Sequence, residues 1–232
     1  MSTAPAVTPR QRVLKPEQID AIFEVFYGIE PEPKGELDYV NAYTLLVAVA
    51  LSAQATDVSV NAATKDLFAK VQTPQAMLEL GEDRLKGYIK TIGLYNAKAA
   101  NVMKAARILV DEFGGEVPED RAALEALPGV GRKTANVVLQ MFWGHPTIAV
   151  DTHVFRVSNR LGLAAGKTPD QVEDGLNKRV PDQYKHHAHH WLILHGRYLC
   201  KARKPECWRC PVSQWCCFKE KSEAPAPKKA KK

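Results

Sequence analysis

Cysteine is missing from the first 199 residues of this 232-residue chain. Met1 to Arg12 also lacks an apolar signal core, so a secreted, disulfide-stapled protein is not expected. Long hydrophobic runs are missing too. The longest, Leu45 to Leu51, is far short of the roughly 20 residues that cross a bilayer, and no membrane partner is expected. No stretch alternates polar and apolar residues for long enough to form a half-buried strand, which leaves an all-α fold. A large excess of one charge is missing as well. Net charge is +6, but residues 219–232 hold six Lys and two Glu, or +4, leaving +2 for the other 218 residues. The total therefore says little about a polyanionic partner. Residues 219–232 read as a disordered basic tail, which solubilises the chain or adds salt-sensitive affinity for a polyanion. Residues 1–16 read as a disordered extension.

What is present is helical periodicity and helix punctuation. Ile19, Ile22, Phe23 and Phe26 share a helical face after Pro16, and Gly28 can end that helix. Pro31, Pro33 and Gly35 mark a linker. Tyr43, Leu46, Val47 and Ala50 form a stripe within an almost wholly apolar segment, the expected centre of a core. Thr56 or Asp57 can cap the next helix, to about Lys70, which leaves Gln54 in an interhelical loop. Further helices are expected at Pro74–Leu80, at Asp83–Ile92 (ended by Gly93), and from an Asn96 cap to Phe113. Leu94 falls in the loop before the last of these. Asp151 can cap a helix carrying Val154, Val157, Ser158 and Leu161 and stopped by Gly162. Another helix starts at Pro169. His186, His187, His189 and His190 crowd the entry to a helix from Trp191 to Leu199. Adjacent residues do not share a helical face, so these histidines make a poor metal site.

The stretch Leu127-Pro128-Gly129-Val130-Gly131-Arg132-Lys133-Thr134 organises the rest. Asp120 can cap a short helix before it, and Pro128 ends that helix. Gly129 and Gly131 permit a tight turn, and a second helix starts near Arg132, with Val137, Val138, Met141 and Phe142 as its expected buried face. The unpaired amides and dipole at the start of that helix make a seat for phosphate. Lys133 stands in its first turn, one turn ahead of Val137. The dipole and a desolvating apolar face would both favour the neutral, nucleophilic amine. An ordinary helical hairpin whose lysine reaches out to water fits the same stretch equally well.

The cysteines cluster late. Cys200, Cys207, Cys210 and Cys216 follow the spacing Cys-x6-Cys-x2-Cys-x5-Cys, with Cys217 left over. Four thiolates in such a run point to a metal centre. A zinc site usually pairs two Cys-x-x-Cys knuckles and only one exists here, so the wider spacing leans toward an iron–sulfur cluster. Lys201, Arg203 and Lys204 put positive charge on the loop between the first two cysteines, suited to phosphate or simply to solvent.

Taken together, Leu-Pro-Gly-Val-Gly-Arg-Lys-Thr-Ala, the later Val-Asp-Thr-His and the cysteine run resemble the endonuclease III family of DNA base-excision glycosylases, within the helix-hairpin-helix superfamily. The resemblance covers about Pro16 to Phe218. It implies two helical lobes: a six-helix unit over residues 35–146, and a second lobe, 17–34 plus 147–218, holding an iron–sulfur loop. It implies Lys133 and Asp151 as catalytic residues and a 4Fe–4S cluster on Cys200, Cys207, Cys210 and Cys216. DNA contacts would come from Gly129, Val130, Gly131, Arg132, Lys201, Arg203 and Lys204. Leu-Ser-Ala-Gln-Ala-Thr-Asp and Gly-Leu-Tyr-Asn-Ala-Lys put Gln54 and Leu94 on the residues that enter the duplex where a damaged base leaves. The implied activity is removal of oxidised or damaged pyrimidines, with lyase cleavage through a lysine Schiff base. The implied partner is double-stranded DNA carrying such bases or abasic sites. A monomer in the cytoplasm, on the nucleoid when bound to DNA, is expected. Two alternatives stand beside this: an adenine-mispair glycosylase without lyase chemistry, which Lys133 opposes, and a non-catalytic metal-stabilised DNA-binding module.

Overall fold

A computed structural model of the chain describes residues 13–33 and 35–225. Among them are eleven α-helices, one 3-10 turn and no strand. In chain order the helices are α1 (Pro16–Ile29), α2 (Ala42–Leu51), α3 (Asp57–Phe68), α4 (Pro74–Leu80), α5 (Glu82–Ile89) and α6 (Tyr95–Phe113). They continue with α7 (Arg121–Glu125), α8 (Arg132–Trp143), α9 (Thr152–Leu161), α10 (Pro169–Arg179) and α11 (Asp182–Tyr198). They fall into two compact units, Lys34–Ala149 and Met1–Pro33 with Val150–Lys232.

The first unit holds α2 to α8: six helices of seven residues or more, plus the five-residue α7. It is built around α2. The Asn41 side chain accepts the Thr44 amide at 3.0 Å, and Thr44 Oγ1 accepts the Asn41 amide at 2.9 Å, which closes the helix start. Beyond the cap, every residue from Tyr43 to Val49 is buried, and so is Leu51. The four-residue stripe expected from periodicity widens to almost the whole circumference because α3, α6 and α8 all pack on this helix. Several boundaries moved, and α5 ends at Ile89, not Ile92. Gly81, at φ 82, starts α5 at Glu82, and α6 begins at Tyr95, with Leu94 and not Asn96 in the cap position. In α8 burial is concentrated in Ala135 to Gln140. Val137 and Val138 are buried as expected, but Met141 is half-buried and Phe142 exposed.

In the second unit, α1 buries the expected Ile19, Ile22, Phe23 and Phe26. Phe23 stacks on Tyr184 at 5.7 Å between centroids, and Trp191 Nε1 donates to the Glu30 carbonyl at 2.7 Å, fastening α1 to α11. The start of α11 lies at Asp182, so the four histidines are inside the helix and not ahead of it. Burial pushes His190 down to about 3 and His195 to about 4, which keeps both neutral. Among the described residues no three His, Cys, Asp or Glu side chains come close enough to hold a single metal ion.

Both expected termini need trimming. Residues 1–12 and 226–232 lie outside the described residues, but their neighbours are folded. Leu14 is buried, its amide donates to Gly162 O at 3.0 Å, and its carbonyl accepts from Arg179. Ser222 donates to Pro205 O and accepts the Cys207 amide at 3.0 Å. A backbone-directed hydrogen bond gives no periodic signature, so composition alone assigned these segments to disorder.

The core argument has a direct check. Leu45, fully buried in α2, should cost about 2–5 kcal/mol when cut to Ala, whereas Val58→Ala on the exposed side of α3 should stay within about 0.5 kcal/mol, as read by chemical denaturation.

Candidate functional site

The hairpin forms as its residues dictate. Asp120 accepts the Ala123 amide at 2.8 Å and starts α7. After Pro128 the chain turns through Gly129 at φ 82, a left-handed value that a side chain resists. A Cβ at Gly129 would also lie 3.0 Å from the Asn101 side chain, so the turn sits directly against α6. Val130 is buried in the unit's core, which leaves only its backbone available to a ligand, while Gly129 and Gly131 are exposed. No side chain caps α8, unlike α7 and α9. Its first-turn amides and dipole therefore face outward, the arrangement that seats a phosphate. Lys133 stands in that turn and is exposed. The burial expected from its nearness to Val137 is absent, because the apolar face turns inward only from Ala135 onward.

Two loops of the same unit carry a second feature. Gln54 (φ 58) and Leu94 (φ 60) are the only non-glycine residues with left-handed backbone among those described. Such a conformation costs about 1–2 kcal/mol for an L-residue and persists only where the surroundings enforce it. Both are exposed, Leu94 by 65%, which is unusual for a leucine with no packing to gain. Both also line one cavity of about 210 Å³, floored by Leu46, Val47 and Val102. Lys98 lines it too. Its ammonium is buried and donates to the Leu51 carbonyl at 3.0 Å and the Ala53 carbonyl at 2.7 Å. Burial lowers its pKa from the ordinary lysine value.

In the other unit, Asp151 caps α9. Its Oδ1 accepts the His153 amide at 2.8 Å and the Val154 amide at 2.7 Å, and no hydrogen bond among the described residues engages Oδ2. The carboxylate is half-buried, anchored by one oxygen with the other free to accept a proton or face a cation. The same helix holds the cysteine loop through two arginines. Arg156 donates to the carbonyls of Cys200 at 3.1 Å and Gly196 at 2.9 Å. Arg160 reaches the carbonyls of Lys201 at 2.8 Å and Ala202 at 2.9 Å, and its guanidinium lies 4.5 Å from the Phe218 ring centroid.

Cys200, Cys207, Cys210 and Cys216 all line one pocket, and Cys217 is not among its lining residues. Four thiols around one pocket can supply the four thiolates of a metal centre. Burial pushes the Cys210 thiol up to about 11, so cluster assembly must displace its proton. Of the three basic loop residues, Lys201 is held by Glu206 at 2.5 Å, and Arg209 pairs with the same carboxylate. Those two cations keep the Glu206 carboxyl below its usual range. Arg203 and Lys204 are exposed, and among the described residues neither has a carboxylate partner. Lys98, Arg156 and Arg160 are contributions that the sequence reading missed. Each acts on backbone carbonyls, mostly forty or more residues away, and no motif marks such a bond.

The cap and the chemistry at Asp151 can be separated. Asn caps a helix as well as Asp does, so Asp151→Asn should leave stability nearly unchanged, while Asp151→Ala should cost about 1 kcal/mol in denaturant unfolding. A stability loss in Asp151→Asn equal to that of Asp151→Ala would mean that the charge, and not the cap, matters to folding.

Comparison with known proteins converges on one family. Residues 47–182 match the HhH-GPD superfamily of base excision DNA repair proteins, and residues 200–216 match the iron–sulfur binding domain of endonuclease III. Endonuclease III of Escherichia coli (strain K12) is 62% identical over 191 residues, 82% of this chain and 90% of that protein. The Rickettsia conorii endonuclease III is 59% identical over 198 residues, 85% of this chain and 94% of that protein. A trapped endonuclease III–DNA covalent intermediate superimposes with a TM-score of 0.83 at 44% identity, covering 88% of this chain and 96% of that one. The adenine-mispair and non-catalytic alternatives are thereby set aside, and the cofactor is a 4Fe–4S cluster. The chain belongs to the endonuclease III family and is a base-excision-repair DNA glycosylase with abasic-site lyase activity.

Proposed function

We propose that this glycosylase acts, as a monomer in the cytoplasm, on oxidised or otherwise damaged pyrimidines in duplex DNA, with Lys133 as its nucleophile and Asp151 as its acid–base partner. The observation that supports this best is Lys133 itself: an exposed amine in the first turn of an uncapped helix, immediately after a two-glycine hairpin. A backbone phosphate seated on that hairpin brings a deoxyribose close to the amine. The bound duplex then supplies the desolvation that the helix does not, and together with the dipole it favours the neutral nucleophile.

The base must leave the stack to be reached. Gln54 and Leu94, exposed on two short loops, fill the space it vacates. The Lys133 amine attacks C1′, and the bond from C1′ to the base breaks. Its electron pair leaves with the base, which takes up a proton. Asp151 accepts the proton that the ammonium sheds and offsets the positive charge growing on the sugar. Ring opening gives an imine between Lys133 and C1′. Loss of a C2′ proton then expels the 3′ phosphate by β-elimination, and water releases the sugar remnant from the lysine. Cys200, Cys207, Cys210 and Cys216 would hold the 4Fe–4S cluster, whose part here is to cross-link the loop that presents Arg203 and Lys204 to phosphates. Lys201, paired with Glu206, contributes less than those two.

Two experiments test this reading. Borohydride reduction of enzyme on thymine glycol or abasic duplex should give a covalent protein–DNA band. Lys133→Gln should lose both the band and strand scission yet still bind DNA. Asp151→Asn should release base slowly but still cross-link at a preformed abasic site. A band that survives in Lys133→Gln would move the nucleophile elsewhere. For the cluster, Cys217→Ser should keep its iron and brown colour while Cys216→Ser loses them; the reverse result would reassign the fourth ligand.

A further inference from the structure

Gln54 and Leu94 line one cavity, and Lys98 lines it with them. Two strained, exposed residues require a restraint to hold their conformation. One side chain spans the gap. Lys98 lies one turn into the helix that begins after Leu94, and its amide donates to the Leu94 carbonyl at 3.1 Å. Its ammonium, at the far end, donates to the last carbonyl of α2 (Leu51) and to Ala53, the residue before Gln54. A single residue thus ties the backbone of one loop to the backbone of the other. One turn further along α6, Asn101 touches Gly129 of the hairpin, so the same short stretch of helix also abuts the phosphate seat.

The choice of lysine is informative. Its carbonyl partners lie at and just beyond the negative end of α2, where a cation is favoured. No carboxylate is hydrogen-bonded to it among the described residues. An ammonium on a residue only 9% exposed, with only carbonyl partners, is costly to desolvate, and an apolar side chain of similar length would fill the position at lower cost. What an apolar chain cannot do is fix the two carbonyls. We propose that Lys98 is a positioning residue: it presets the spacing and left-handed backbone of Gln54 and Leu94, so that both are ready to enter the duplex together as the base leaves. This rests on the reading of Gln54 and Leu94 as the residues that fill the vacated space.

The test compares one lesion in two settings with the full-length, cluster-loaded enzyme. Thymine glycol in paired duplex needs the inserting residues. The same lesion in an unpaired bubble does not, because no stack has to be opened. Lys98→Met should slow single-turnover base release from duplex by about tenfold or more but from the bubble by less than about threefold, the scale on which small misplacements act. Leu94→Ala should show the same selectivity, and Lys98→Met should add little to it in the double variant. If Leu94→Ala loses nothing on duplex, the reading beneath the proposal fails. If Leu94→Ala is selective but Lys98→Met slows both substrates equally, or neither, the positioning role is wrong. If Lys98→Met does not fold, Lys98→Arg takes its place. It keeps the charge but sets its donors farther out. It should show the selective loss on duplex, and an unchanged or equal effect on both substrates would again overturn the proposal.

Discussion

Burial of α2 is the constraint on which the first unit depends. Because that helix is apolar on almost every side, α3, α6 and α8 must all pack around it. Its two ends are therefore the only places where its backbone polar groups can be satisfied from outside. Asn41 and Thr44 serve the first end, and Lys98 serves the last. The loop that leaves the last end carries Gln54, and the helix that supplies Lys98 begins with Leu94. An obligation of helix ends, the pairing of carbonyls that no following turn can reach, thus sets where Gln54 and Leu94 emerge.

The second unit solves a different problem with similar means. Its cysteine loop has one 3-10 turn, across Cys207–Arg209, and is otherwise held by successive turns such as Cys210 N to Cys207 O and Ser213 N to Cys210 O. Arg156 and Arg160 of α9 take up carbonyls along the segment from Gly196 to Ala202, and the first residues after the loop fold back through Ser222. The helix that carries these arginines is headed by Asp151. A shift of the cysteine loop would therefore be felt by the helix whose start holds the Asp151 carboxylate. Within each unit, guanidinium or ammonium groups on backbone carbonyls do what a larger hydrophobic core would otherwise have to do.

Much of this is legible in the residues alone, for local reasons. Pro16, Pro74 and Pro169 mark helix starts, Thr56, Asp120 and Asp151 cap helices through bonds two or three residues away, and α4 runs from Pro74 to Leu80 as expected. The two-glycine hairpin and the four-cysteine run are likewise short-range patterns. Errors arose where a residue's neighbours come from elsewhere in the chain. Phe142 looked buried from its spacing, yet full burial in that helix stops at Gln140. Asn96 looked like a cap, yet Leu94 holds that position.

The sequence by itself determined that the chain is helical, where its proline-led and Asp- or Thr-capped helices begin, which cysteines stand in ligand spacing, and which lysine follows the hairpin. All of these rest on contacts within a few residues. Tertiary structure alone decided that Lys133 is exposed and Lys98 buried, two lysines whose local sequence surroundings do not distinguish them in this respect. It also decided that Gln54 and Leu94, both left-handed, roof a single cavity, and that Lys201 is neutralised while Arg203 and Lys204 are not. The physical reason is the same in each case. Desolvation, ion pairing and backbone strain depend on which atoms surround a group in space, and the chain brings those atoms together from 47 residues away for Lys98 as readily as from five for Lys201.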